Sequence, residues 1–129
     1  MIEMGQYYFI VNLDKKQYLN PHRFNDGLKA CEFGSGGNIL KALSCLITKS
    51  DEGGGGDWQD ESGIAGSWAG DRIWAVGDYD SSKLFDQAEK EFEEISSKVI
   101  PVLKKNGVCW KSESQLRPDV VLVVNKSGA

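Results

Sequence analysis

The sequence predicts a small α+β or α/β fold, with a mixed β-sheet packed by two amphipathic helices in a single domain. The segments follow in the order strand, short strand, helix, strand, helix, strand, which is typical of helices packed on a small sheet. The length of 129 residues fits one domain with an ordinary core. A split at the glycine run would leave pieces of about 50 and 70 residues, and such pieces seldom hold a core without disulfides or metal.

The first segment has the period of two that predicts a β-strand. Residues 7–14, YYFIVNLD, alternate between two faces, and one face carries Tyr7, Phe9, Val11 and Leu13. A polar turn follows, and QYLN at residues 17–20 predicts a short return strand. Pro21 and an Asn-Asp-Gly turn then break the pattern, so residues 20–37 are expected to be mostly loop.

Two later segments space their apolar residues by three and four, which predicts amphipathic helices. The first begins at Asn38, whose side chain is expected to cap the free amides, and should end near Ser50. The second is capped by Ser81 or Ser82, and Pro101 should kink or end it. KKNG, residues 104–107, is expected to be its basic C-terminal turn, with Asn106-Gly107 as the stop.

Two more strands are predicted on either side of the second helix. DRIWAVGDY, residues 71–79, follows the long loop and is expected to be a strand. Val120–Val124 is a run of consecutive apolar residues, which suits a strand covered on both faces. We expect that run to lie at the centre of the sheet.

Residues 51–70 form a long loop that is rich in glycine and in acids, and it opens with DEGGGGDW. Residues 51–80 carry eight acids against one base, Arg72, and a net charge of −7 within a total of −4. A nucleic-acid-binding protein would show a basic stripe, so no nucleic acid partner is expected. The loop also holds large apolar side chains that should be buried and tie it down, leaving the glycines as a mobile lid: Trp58, Ile64 and Trp68.

Several short pieces of the chain resemble a group of small uncharacterised proteins from microbes and their viruses. The pieces are MGQYY, VNLDKK, NPH, GGGGD, GSWAGDRI and VGDYD, and the likeness covers about the first 80 residues. The resemblance brings no assigned function. It implies that translation begins naturally at Met4 and that the source is a virus or a mobile element.

The stretch GSWAGDRIWAVGDYD, residues 66–80, is the densest group of residues able to recognise a ligand, since it combines acids, an arginine and stackable aromatic rings. The candidate ligand-binding residues are Asp57, Trp68, Asp71, Arg72, Asp78 and Tyr79. A structural interpretation stays open beside it, in which Asp57 or Asp71 clamps Arg72 in an internal ion pair that orders the loop.

Asp57, Asp71 and Asp78 are also candidate ligands for Mg²⁺ or Ca²⁺, because these ions prefer several oxygen ligands. The spacing from Asp57 does not match an EF-hand, which needs a glycine at the sixth position and a glutamate at the twelfth. The alternative is a solvated acidic loop and no cofactor. His22, the only histidine, is the candidate for any histidine-dependent proton transfer.

FGSGGN, residues 33–38, places glycines before a helix N-terminus, where free amides favour a phosphate or carboxylate. Gly36, Gly37 and Asn38 are therefore the candidate anion-binding residues, against the alternative of a plain glycine turn. The stretch matches neither the dinucleotide-binding nor the P-loop pattern.

Cys31, Cys45 and Cys109 are widely spaced and odd in number, which indicates free thiols in a reducing compartment. We expect Cys31 and Cys45 to be small core residues on or beside the first helix. Neither a signal peptide nor a membrane span is expected, and the cytoplasm is the expected location.

No motif in the chain identifies a reaction. The leading hypothesis is a small non-catalytic binding module that presents the glycine-rich acidic loop and nearby aromatic residues to a protein or a small molecule. The alternative is a divalent-metal-dependent hydrolase or transferase of a phosphorylated small molecule, with Asp57, Asp71 and Asp78 on the metal and His22 moving a proton. A third hypothesis is a structural or regulatory subunit whose tryptophans are buried at an oligomer interface.

Overall fold

The computed structural model describes residues 5–49 and 54–108, which form a four-stranded mixed sheet with helices on both faces. The strands are β1 (Tyr8–Asn12), β2 (Gln17–Leu19), β3 (Ile73–Gly77) and β4 (Glu93–Glu94). The helices are a 3₁₀ helix (Pro21–Phe24), α1 (Ala30–Gly36), α2 (Asn38–Ile47), α3 (Leu84–Glu91) and α4 (Ser96–Lys105). The α+β class is confirmed, with four α-helices in the described residues where the sequence predicted two.

The strands are hydrogen-bonded to one another in the order β3-β1-β2-β4. β1 is antiparallel to both β2 and β3, and β2 is parallel to β4, so the sheet is mixed as expected. The strands predicted at residues 7–14, 17–20 and 71–79 are confirmed. The strand predicted at Val120–Val124 lies outside the described residues.

β1 contributes to a hydrophobic core on each face of the sheet, and its residues Phe9–Asn12 are all buried. Ile10 packs on one face with the apolar sides of α2 and α4, while Phe9 and Val11 pack on the other face with α3. The Phe9 ring stacks on Phe85 of α3, with ring centroids 4.1 Å apart. The alternating residues of β1 therefore pack into two hydrophobic cores, one on each face of the sheet. They do not separate a buried face from a solvent-exposed face.

The single long helix expected after Ser81 or Ser82 is wrong, because the chain is extended at Phe92 and forms β4 before it becomes helical again. The expected stop at Asn106-Gly107 is confirmed, since α4 ends at Lys105 with Asn106 as its C-cap. The N–H of Glu93 donates to the carbonyl of Lys16, 3.0 Å away, which joins β4 to the edge of β2. α3 packs on one face of the sheet and α4 on the other. One straight helix cannot cover both faces, so the chain turns at the sheet edge although the apolar spacing continues.

Pro101 lies inside α4 and does not end it. Proline removes the hydrogen bond that its N–H would give to the carbonyl four residues earlier, here that of Ser97. Ser97 is exposed, so water can bond to that carbonyl. Within the two described ranges, no helix has both the length and the apolar character that crossing a membrane requires.

Residues 20–37 contain more regular structure than the loop predicted there. Asn20 begins the 3₁₀ helix, and its Oδ1 accepts a hydrogen bond from the backbone N–H of His22 at 3.0 Å. α1 follows, although it buries none of its residues in the core. Its apolar spacing is correspondingly weak, since Phe33 alone packs against the core from this helix.

Candidate functional site

The loop between α2 and β3 is fastened to the end of α2. The backbone N–H groups of Gly66 and Trp68 donate to the carbonyls of Cys45 and Leu46, each over 2.8 Å. Such carbonyls in the last turn of a helix lack donors within the helix. The side chain of Trp68 is fully buried, and its Nε1–H donates to Oε1 of Gln17 at 2.8 Å. The expectation that Trp68 ties the loop down is confirmed.

The middle of the same loop is folded around the carboxylate of Asp60. Its Oδ1 accepts hydrogen bonds from the N–H and the hydroxyl of Ser62, at 2.9 and 2.6 Å, and its Oδ2 accepts one from the N–H of Ala65 at 2.8 Å. Burial raises the pKa of Asp60, but the hydrogen bonds from Ala65, Ser62 and Ile64 outweigh it and lower that pKa to about 2. Asp60 is therefore a charged organiser of this loop at neutral pH.

A cleft of about 590 Å³ lies between this loop and α4. The loop contributes Asp60, Glu61, Ser62 and Ile64, and α4 contributes Lys98, Pro101, Val102 and Lys105. The α4 residues are spaced by three and four and share one face of the helix. The two walls are joined at one end by Asn106, whose Oδ1 accepts from the N–H of Gln59 at 2.7 Å and whose Nδ2 donates to the Gln59 carbonyl at 2.9 Å.

The cleft combines an apolar floor with two charged side chains that have no side-chain partner within residues 5–49 and 54–108. Ile64, Pro101 and Val102 supply the apolar surface. Lys98 is paired with Glu93 and so is already neutralised. Glu61 and Lys105 form no side-chain hydrogen bond or ion pair with another residue of the described ranges. Both charges are thus available to a molecule in the cleft.

The predicted ligand-binding residues do not come together at one place. Asp71 and Arg72 precede β3, whereas Asp78 and Tyr79 follow it. Six residues of extended chain span about 20 Å, so the two pairs lie at opposite ends of the strand. Trp68 is fully buried in the core and offers no surface to a ligand in this structure.

Arg72 forms an ion pair, but its partner is neither Asp57 nor Asp71. Its Nη2 lies 2.8 Å from Oδ1 of Asp14 in the turn after β1, and its backbone N–H donates to Oδ2 of the same carboxylate at 2.7 Å. The side-chain hydrogen bond from Arg72 lowers the pKa of Asp14. Asp71 bonds instead to Lys15, with Nζ and Oδ2 2.7 Å apart. Both pairs fasten β3 to the β1–β2 turn.

Asp57 and Asp78 each bond to the nearby backbone. Oδ2 of Asp57 accepts from the N–H of Gly54 at 2.6 Å, and Oδ1 of Asp78 accepts from the N–H of Tyr7 at 3.1 Å. Across residues 5–49 and 54–108, no three histidine, cysteine, aspartate or glutamate side chains form a group able to hold a metal ion. The set Asp57, Asp71 and Asp78 is therefore not assembled in this structure.

A carboxylate of the chain itself occupies the predicted anion site at Gly36, Gly37 and Asn38. Oδ2 of the buried Asp26 accepts from the N–H of Ile39 at 2.8 Å, at the first turn of α2. Asn38 does not cap α2, because its Nδ2 donates to the carbonyl of Phe24 at 2.8 Å. A Cβ on Gly36 would lie 2.2 Å from Oδ1 of Asp26, so this glycine admits the carboxylate. The backbone N–H of Ile39 at the start of α2 does bind a carboxyl group, but that group is the side chain of Asp26 in the same chain.

His22 is exposed on the 3₁₀ helix, where its backbone bonds to Asn20. Cys45 is buried in the core as expected, and burial raises the pKa of its thiol to about 11, which disfavours the reactive thiolate. Cys31 is exposed on α1, which corrects its assignment to the core. Cys109 lies outside the described residues.

Comparison of the chain with protein-family models, curated proteins and solved structures gave no significant match. The candidate site therefore stands on its geometry.

The sequence pointed to the acidic loop, but none of the residues that line the cleft is among the predicted site residues. The pattern of Asp60 and Ser62 is typical of an aspartate that bonds to the backbone two residues further on, and this pattern could have identified the turn. In the sequence, Lys98 belongs to the solvated side of the predicted second helix, and Lys105 belongs to its predicted basic C-terminal turn. Their place on one wall depends on where α4 begins, which the local pattern does not show.

Proposed function

We propose that this protein is a small non-catalytic binding module that takes a small amphiphilic molecule in the cleft between the acidic loop and α4. The observation that carries the proposal is a cleft lined by apolar side chains and by two opposite charges, Glu61 and Lys105, that have no partner in the part of the chain that the structure describes. Ligand sites combine mostly apolar surface with a few polar groups that fix orientation.

The size of the cleft fits a small molecule. Its volume of about 590 Å³ lies within the roughly 300–1,000 Å³ of ordinary ligand pockets. The hydrogen bonds of Asp60 and Asn106 hold the loop wall in place before a ligand arrives, and such preorganisation reduces the entropy lost on binding.

The free charges define the chemical class of the ligand. An ammonium group suits Glu61, an anionic group such as a carboxylate suits Lys105, and an apolar body suits the floor formed by Ile64, Pro101 and Val102. Apolar amino acids and short apolar peptides with free ends have this combination of groups. In such a ligand, the terminal ammonium and carboxylate groups lie at fixed positions relative to the apolar side chain.

The experiment measures the melting temperature of the full chain with L-leucine, L-phenylalanine and their dipeptide, each at about 10 mM, a level suited to millimolar affinity. A ligand at about ten times its dissociation constant adds about 1.4 kcal/mol of stability, which raises the melting temperature by several degrees. The N-acetylated and C-amidated forms of each probe lack one charge and should give smaller shifts.

Variants of the cleft provide the second arm of the experiment. Lys105→Ala and Glu61→Gln should reduce the shift, while Lys90→Ala and Glu89→Gln, which make matched changes on exposed positions of α3, should keep it. The proposal fails if no probe shifts the melting temperature, or if the cleft variants respond like the wild type. A shift with Mg²⁺ or Ca²⁺ alone would support the metal-dependent hydrolase or transferase instead.

A further inference from the structure

We infer that Lys98 is a second anion-binding residue of the cleft and that Glu93 masks it in the free protein by occupying its ammonium group. The inference rests on the proposed function, because it concerns a ligand of the same cleft. It narrows the ligand to a short peptide that carries an acidic side chain, an apolar segment and a free C-terminal carboxylate.

The wall that α4 contributes to the cleft carries charged and apolar groups in a fixed order along one face. Lys98 comes first, Pro101 and Val102 follow, and Lys105 comes last. Positions seven apart return to the same side of a helix after two turns, about 10 Å further along its axis. The wall therefore places one ammonium group at each end of an apolar surface. A molecule that matches it has two anionic groups with an apolar body between them.

A peptide of three residues matches this spacing. Extended residues rise by about 3.3 Å each, so three of them cover about 10 Å. The two hydrogen bonds between Asn106 and Gln59 close the cleft beside Lys105, so the group that binds at this end is a chain terminus. The C-terminal carboxylate of the peptide belongs there, and an acidic side chain two residues earlier reaches Lys98. The tripeptide Glu-Leu-Leu has this order of groups.

Glu93 already places a carboxylate on Lys98. Nζ of Lys98 donates to Oε2 of Glu93, and Nε2 of Gln17 donates to Oε1 of the same carboxylate at 3.3 Å. The hydrogen bonds from Lys98 and Gln17 lower the pKa of Glu93, so its carboxylate is charged at neutral pH. Glu93 thus occupies the ammonium group in the way that the carboxylate of a ligand does.

The carboxylate of a ligand can replace that of Glu93 at little cost. The side chains of Lys98 and Glu93 are about half exposed, at 56% and 47%, and ion pairs with this exposure contribute little to stability. Gln17 still donates to Glu93 after Lys98 has left it. An acidic ligand therefore gains little affinity from Lys98 in the wild type, because one carboxylate merely replaces another. It gains more when Glu93 is neutral.

Titration of the full chain with Glu-Leu-Leu and with Gln-Leu-Leu, followed by the amide NMR signals, tests the inference. The two peptides have the same ends and the same apolar part, and they differ in one charge. The ratio of the Kd of the neutral peptide to that of the acidic peptide should be close to one in the wild type. In Glu93→Gln it should rise to about twofold to fivefold, the range of an exposed ion pair.

Glu94→Gln is the matched control for Glu93→Gln. It makes the same change at the next residue, which pairs with Arg23 and does not line the cleft. The net charge changes equally in both variants, so a general attraction of the acidic peptide would raise the ratio in both. We expect Glu94→Gln to keep the ratio of the wild type.

Lys98→Met tests the inference independently, should Glu93→Gln fail to fold. It removes the counter-charge of Glu93, so the acidic peptide should bind less tightly than the neutral one and the ratio should fall below one. Lys90→Met makes the same change on α3, away from the cleft, and should keep the ratio of the wild type.

Two results would overturn the inference: a ratio that Glu93→Gln does not raise above that of Glu94→Gln, and a ratio that Lys98→Met does not lower. If both peptides bind with the same ratio in every variant, this inference fails and the proposed function stands. If neither peptide binds the wild type, the proposed function fails together with the inference.

Discussion

At the scale of single residues, several aspartates of the described ranges accept hydrogen bonds from the backbone of the chain itself. Asp60 accepts hydrogen bonds from its own loop, Asp26 accepts from the start of α2, and Asp14 accepts from Arg72 at the start of β3. The hydrogen bonds that Asp60 and Asp14 accept lower the pKa of these two carboxyls and favour their charged forms, whereas burial raises the pKa of Asp26. The negative charge of residues 51–80 therefore does not indicate a metal site by itself.

Asp60→Asn should destabilise the protein at neutral pH, because an amide cannot accept all of the hydrogen bonds that the carboxylate receives. The pKa of Asp60 is lowered from 3.8 to about 2, so its contribution is fully present above pH 4 and is lost as the pH falls through 2. We expect a loss of about 1–2 kcal/mol at pH 7, after allowance for partial exposure. Urea unfolding at pH 7 and near pH 2 measures it, and an equal loss at both values would contradict the assignment.

At the scale of elements, the long loop serves as the C-terminal cap of α2. Gly66 brings its backbone close to Thr48 and Lys49, and its N–H reaches the carbonyl of Cys45. The conformation also requires a φ of +76° at this position. The loop thus caps the C-terminal end of α2 and also connects α2 to β3.

Gly66→Ala should cost more stability than Gly70→Ala. Both glycines have positive φ, +76° and +82°, so both alanines bear the same backbone strain. A Cβ at Gly66 would also lie 3.0 Å from the Thr48 carbonyl, whereas a Cβ at Gly70 would meet nothing within 4 Å. Backbone strain alone costs about 1 kcal/mol of stability in each variant. In urea unfolding, we expect Gly66→Ala to lose at least about 1 kcal/mol more than Gly70→Ala. Equal losses would show that the close approach is unimportant.

At the scale of the whole molecule, β1 links the two hydrophobic cores. Val11 is fully buried on the α3 side, and Trp68 is fully buried in the core on the other side. Because both hydrophobic cores include residues of β1, the loss of this strand would remove packing contacts from both cores at once. We therefore expect the described part of the chain to unfold as one unit.

Val11→Ala tests this coupling from the side opposite Trp68. It should lower stability by about 1–3 kcal/mol through lost packing, and it should shift the fluorescence transition and the far-ultraviolet circular dichroism transition by the same amount. The matched change Val99→Ala, in the core that contains Trp68, should behave alike. Separate transitions in Val11→Ala would show instead that the two cores unfold independently.

The local pattern of the sequence determined the α+β class, the first three strands, the helix that begins at Asn38 and the burial of Trp68. These features depend on spacing within a few residues, which the sequence displays directly. Only the tertiary structure decided that Asp14 pairs with Arg72 and that Gln59 meets Asn106, because these partners are 58 and 47 residues apart. It also decided that the chain forms β4 at Glu93, since the acceptor is the Lys16 carbonyl at a distant sheet edge. The cleft arises from such long-range contacts, and no local pattern records them.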